Sequence, residues 1–174
     1  MAYLLRKIRK NRWYKTEETP WLLNNELQAD ALDDLRTKAN ELSVYHIDDD
    51  ESNLNRVVAA LAANADNPSN IDFAIFNQGI LREIGIKARS SRGELPDDQA
   101  NEWHNDLYEL SAPRLLELAK AIETEARIER KGYKQILTLV ADSLVMGQID
   151  RSRIKWGKSD LDRIDRIVAG RRTP

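Results

Sequence analysis

Apolar residues recur along the chain with a period that changes several times, and each change marks an element. Tyr3, Leu5 and Lys7 alternate with Leu4, Arg6 and Ile8, a loose period of two that fits an edge strand or an extended arm. Thr19-Pro20 has the form of a helix start. Asn25 and Gln28 have capping-box spacing, and Leu27, Ala31 and Leu35 lie four apart, so residues 25–40 read as an amphipathic helix. Leu42 to Ile47 is a β-type run that stops at Asp48-Asp49-Asp50, residues that strands avoid. Ser52 or Asn53 then caps a helix with Leu54, Val57, Val58, Leu61 and Ala62 along one side. Ile71 to Phe76, aromatic and β-branched between turn residues, is the clearest strand. Residues 42–76 therefore read β-α-β, which predicts parallel strands joined by a right-handed crossover if the two are neighbours.

Beyond Gly85 the pattern becomes helical. Lys87 to Leu95 is polar and reads as an exposed loop. Pro96-Asp97-Asp98 opens a helix running to about Leu110, with its acids at the favourable end of the helix dipole. Ser111 opens the longest helix, whose stripe is Leu115, Leu118, Ala119, Ile122 and Ala126, and Gly132 ends or bends it. Tyr133, Ile136, Leu137, Val140, Ala141 and Leu144 form another stripe that ends at Gly147. Ser159-x-x-Asp162 caps a last helix through Val168. The expected fold class is α+β and predominantly helical: a small sheet of two or three strands in the N-terminal half, packed with a helical C-terminal half. Residues 1–174 are expected to form one domain. Any subdivision falls near residue 110, between a 1–110 α/β part and a 111–174 helical part, and residues 1–18 could be a basic arm.

Composition supports a self-sufficient core: of 174 residues, 41% are hydrophobic and 32% charged. The absence of cysteine excludes disulfides, thiol catalysis and cysteine-ligated zinc, and fits a reducing compartment. No run approaches the roughly 20 apolar residues that cross a bilayer. The short apolar stretch at the N-terminus is followed, not preceded, by basic residues, unlike a signal sequence. A cytoplasmic protein without a membrane partner is therefore expected.

Charge is sorted along the chain. Residues 1–15 carry six bases and no acid, residues 16–70 twelve acids against three bases, residues 71–124 ten against six, and residues 125–174 seven against twelve. The basic ends interleave with aromatics: Arg6, Lys7, Arg9, Lys10, Arg12 and Lys15 with Trp13, then Arg151, Arg153 and Lys155 with Trp156. Such strings neutralise phosphates and stack on unpaired bases. Alternatively they snorkel around core-anchored tryptophans or pair with the acidic middle.

The two histidines are the remaining candidates for chemistry. His46 precedes three aspartates at a strand end, a place for a general base or a metal ligand. On a helix, His104 would share a face with Asn101, Asn105 and Tyr108. No glycine-rich phosphate loop and no Gly-x-Ser-x-Gly elbow occurs, so neither a cofactor nor a metal is expected. The leading reading is a non-enzymatic accessory or adaptor subunit that binds a protein partner or a second copy of itself, using the charged surfaces and the helices over 112–146. A nucleic-acid-binding protein that uses the basic-aromatic segments is the alternative. A histidine/carboxylate hydrolase or nuclease is a further one.

Overall fold

A computed structural model describes residues 2–14, 16–23 and 26–172. Six strands form one antiparallel sheet: β1 (Tyr3–Ile8), β2 (Leu42–Ile47), β3 (Ile71–Asn77), β4 (Lys87–Ser90), β5 (His104–Tyr108) and β6 (Arg127–Lys131), in the order β4-β5-β2-β1-β3-β6. The expectation of a predominantly helical fold with two or three strands is overturned. The three strands that the hydrophobic pattern misses have a physical reason to be inconspicuous. β4 and β6 lie at the two edges and carry charge, as edge strands do to deter further pairing. β5, next to β4, is apolar on one face only.

β1 is an inner strand, not an edge or an arm. It pairs with β3 from Tyr3↔Asn77 to Ile8↔Asp72, and with β2 from Tyr3↔Ile47 to Leu5↔Tyr45. Its sequence suits that place, because Leu4 and Ile8 are buried on one side and Leu5 on the other. β2 and β3 are consequently not neighbours. β1 lies between them, antiparallel to each, so the predicted parallel pair does not form.

Helices cover both faces. On one side α1 (Leu54–Ala63), α5 (Tyr133–Val145) and α6 (Lys158–Arg172) pack over Leu5, Ile47, Phe73 and Ile75 through Val57, Val58, Ile136, Val140 and Ile164. On the other, α2 (Gly79–Glu83), α4 (Ala112–Glu125) and a 3-10 stretch (Ala29–Leu35) enclose Leu4, Val44, Ala74, Phe76 and Leu107 with Leu35, Leu81, Leu118 and Ile122. Each large apolar side chain buried this way contributes about 1.5–3 kcal/mol. The stripes of α4 and α5 are thus spent on the sheet.

Three local expectations change. The helix over 25–40 reduces to the 3-10 stretch, and Asn25 lies outside the described residues. The helix from Pro96 is only α3 (Asp98–Glu102); the Asp97 carboxylate accepts from the N–H groups of Gln99 and Ala100, and after Trp103 the chain enters β5. Asn53 precedes α1 but does not cap it: its side chain bonds back to the His46 carbonyl and the Asp48 N–H, each at 3.0 Å.

Candidate functional site

Several side chains of the basic-aromatic strings lie against the acidic middle of the chain, whereas Arg151 pairs within its own segment. Trp13 is 2% exposed, and its indole Nε1 donates to Asp34 Oδ2 at 2.8 Å. Trp156 is equally buried and donates to the Ala62 carbonyl at 2.9 Å. Neither ring is presented for stacking. Arg12 meets Asp33 at 3.1 Å and Asp34 at 3.8 Å. Arg151 is bidentate on Asp165, and Arg153 pairs with Asp98 at 3.0 Å and with the Leu95 carbonyl. Arg6 donates to the carbonyls of Asp34 and Ser43. The backbone N–H groups of Arg9 and Lys10 bind the carboxylates of Asp34 and Asp72, and the Lys10 ammonium lies 6.0 Å from the Tyr14 ring centre. The Lys7, Arg9 and Lys155 side chains are exposed, and Lys15 lies outside the described residues.

The structure does not unite the histidines. His46 follows the register of Leu4 and stands 3.8 Å from Asp48, whereas His104 lies opposite Tyr45 on the other sheet face. Because His104 sits on a strand, the helical polar stripe with Asn101 and Asn105 is absent. Asp106 and Tyr108 share its face instead. The buried imidazole makes a 2.8 Å hydrogen bond between Nδ1 and Ser91 Oγ, and contacts the Tyr45 ring edge-on at 5.2 Å. Asp106 Oδ1 is 3.9 Å from Nε2, beyond hydrogen-bond reach, so it does not fix the ring as a catalytic acid partner does. Among the described residues no group of three or more acids and histidines converges on a metal position.

A third feature escaped the sequence reading. Trp21 is 71% exposed and Leu23 61%, while Leu22 between them is buried. Leu22 pins the segment to the body, and its neighbours are turned outward. Trp21, Leu22, Leu27, Ala29 and Leu116 of α4 line a mainly apolar groove of about 720 Å³ with Glu26, Lys120 and Glu123. The legible signal was Trp-Leu-Leu after Pro20, three consecutive apolar residues in a turn that has no period able to bury them all.

Searches of protein-family models, curated proteins and solved structures yield no match to this chain. Among the described residues no helix is long and apolar enough to cross a membrane.

Proposed function

We propose that the protein is an accessory or adaptor subunit whose groove at Trp21 receives another protein, and that the partner offers an apolar anchor flanked by basic side chains. The exposure of Trp21 carries this reading. An indole held in water beside a preformed apolar groove loses hydration cost when covered, and tryptophan is prominent among the side chains that dominate protein interfaces. The groove has room for a leucine- or phenylalanine-sized side chain.

Charge sets the partner's flanks. Glu26 and Glu123 line the groove against Lys120, and a second hollow, lined by Gln28 and Asp30 on either side of the groove's Ala29 in sequence, carries Glu17 and Glu18 as well, against an Arg12 already paired with Asp33. An acidic rim favours a basic partner and rejects an acidic one. This reading rests on the groove and not on the sorted charges of the chain, since Arg12, Arg151 and Arg153 are matched internally.

Affinity capture from the native organism, with nuclease treatment, tests the reading when the wild-type chain is compared with Trp21→Asp and Leu116→Asp. The expected result is a stoichiometric, nuclease-resistant protein lost with either variant. Its contact segment should be apolar with lysine or arginine at the flanks. A partner retained at full yield by both variants would remove the groove from the interface.

A further inference from the structure

β1 keeps its pairing with β3 through Ile8 but leaves β2 after Leu5, and the two strands splay. The opening is a cleft of about 300 Å³ whose lining includes Arg6, Lys7, Arg9, Ser43, Tyr45 and Leu61. We propose that this cleft is a binding site for one small phosphate-type oxyanion, either inorganic phosphate or the phosphate of a small phosphomonoester, held by Arg6, Lys7, Arg9 and the Tyr45 hydroxyl.

Tyr45 supplies an unengaged donor held in place at the cleft. It is 8% exposed, lines the cleft, and makes no hydrogen bond through its hydroxyl among the described residues. The ring is buried while the hydroxyl keeps contact with the cleft, so this donor is free for a ligand that enters it. Burial, eased by the Arg6 charge and reinforced by Asp106, pushes the phenol up to about 12, so at neutral pH it is a donor.

The cations are arranged to receive an anion. Arg6 spends three N–H bonds on the neutral carbonyls of Asp34 and Ser43, leaving two of its five donors. Loss of hydration, then the adjacent Arg6 and Arg9 charges, hold the Lys7 ammonium below its ordinary value, and Asp66 only partly offsets them. An oxyanion relieves that crowding. The acids in the lining are engaged elsewhere: Asp34 accepts from Arg9 N–H and Trp13, and Asp33 faces Arg12. Asp106, the cross-strand neighbour of Ser43, is not among the lining residues. The volume suits a phosphate with a small organic group and is at the low end of known ligand pockets, roughly 300–1,000 Å³.

The test titrates inorganic phosphate into the full chain at low ionic strength, followed by calorimetry and by amide chemical shifts, with sodium chloride of matched ionic strength as the control. Saturable one-to-one binding is expected, with shifts centred on residues 5–9 and 43–45. Tyr45→Phe keeps the ring that contacts His104 and is expected to weaken binding roughly threefold to tenfold, the worth of one hydrogen bond. Lys7→Ala with Arg9→Ala, both exposed, leaves the fold in place and is expected to weaken it at least about tenfold. The proposal fails if phosphate does no more than chloride, or if affinity is unmoved by both variants. A short single-stranded oligonucleotide provides the last arm. Tighter oligonucleotide binding, with a salt dependence indicating several phosphates, would replace the small-ligand site with a polyanion surface.

Discussion

The Trp13 indole and the Asp34 carboxylate meet at 2.8 Å inside the protein, and the same carboxylate oxygen accepts the Arg9 N–H at 2.8 Å. One buried acid thus ties the end of β1, the turn that follows it and the 3-10 stretch together. Replacing Asp34 with alanine strands the buried indole N–H and takes the acceptor from the partly buried Arg9 amide. Each orphaned donor costs about 1–3 kcal/mol, so Asp34→Ala should lower the unfolding free energy by about 3 kcal/mol in urea titration. Trp13→Phe removes the indole donor but leaves Asp34 its other partners, and should cost less. Equal stability of Asp34→Ala and wild type would show that this junction contributes nothing.

Asp72 plays the corresponding part at the other side of β1. It takes Arg130 of β6 in a bidentate pair at 2.6 and 2.9 Å, and the Lys10 N–H at 2.7 Å. Burial opposes ionisation of Asp72, but the Arg130 guanidinium and the Lys10 N–H outweigh it and hold the carboxyl below its usual value. The unfolded chain therefore binds this proton more readily than the folded one. The stabilisation is complete above the unfolded carboxyl value of about 3.9 and is lost as pH falls through the lower folded value. Asp50, Glu51, Asp150 and Asp165 are shifted in the same direction, so Asp72 is isolated by comparison with Asp72→Asn. The variant should be less stable by about 1 kcal/mol at neutral pH, because Arg130 is half exposed, and the gap should close in acid. A gap independent of pH would show that the pair owes its strength to shape and not to charge.

The legible parts of the fold are those whose apolar pattern is set by burial on a full face. The strand at 42–47, α1, the strand at 71–77 and α5 all appear where the periodicity places them. β4 and β6 were hidden because edge strands are built from Lys-Ala-Arg-Ser and Arg-Ile-Glu-Arg-Lys, which carry no alternation. β5 was hidden because Trp103, Leu107 and Leu110 also fit a helical stripe, and only pairing with β2 and β4 decides for a strand. The ends misled for a related reason. A tryptophan among arginines reads alike whether its ring stacks on a base or fills a core, and the acids that neutralise the ends lie 21 residues away for Trp13 and Asp34 and 55 for Arg153 and Asp98. The exposure of Trp21 depends on Leu22 taking the inward place, which no period reveals.

Arg56 and Asp97 join α1 to the start of α3. Asp97 is completely buried; its carboxylate accepts Arg56 Nε at 2.6 Å and Nη2 at 2.9 Å, besides the Gln99 and Ala100 N–H groups. Arg56→Ala leaves a buried carboxylate with backbone donors only, a change that costs about 3–5 kcal/mol where no water replaces the guanidinium. Arg56 is itself partly exposed, so water recovers some of this and about 2–3 kcal/mol is expected by urea titration. The double variant Arg56→Met, Asp97→Asn should be more stable than the sum of the single ones, and strict additivity would mean that the two side chains are uncoupled.

Tryptophan emission reports directly on the groove. Of the four indoles, Trp13 and Trp156 are buried, Trp103 is partly covered with the Arg56 guanidinium 5.8 Å from its ring, and Trp21 stands in water. Dynamic quenchers reach mainly Trp21. Its surroundings include Glu26 and Glu123 against Lys120, so caesium should quench more efficiently than iodide, and the difference should shrink as salt screens the carboxylates. Trp21→Phe should remove most of the quenchable emission and shift the remaining spectrum to the blue. Because the side chain packs against little, the same variant should change unfolding free energy by less than about 0.5 kcal/mol. Retained quenching, or a large loss of stability, would place Trp21 inside the folded body and leave the groove without its principal contact.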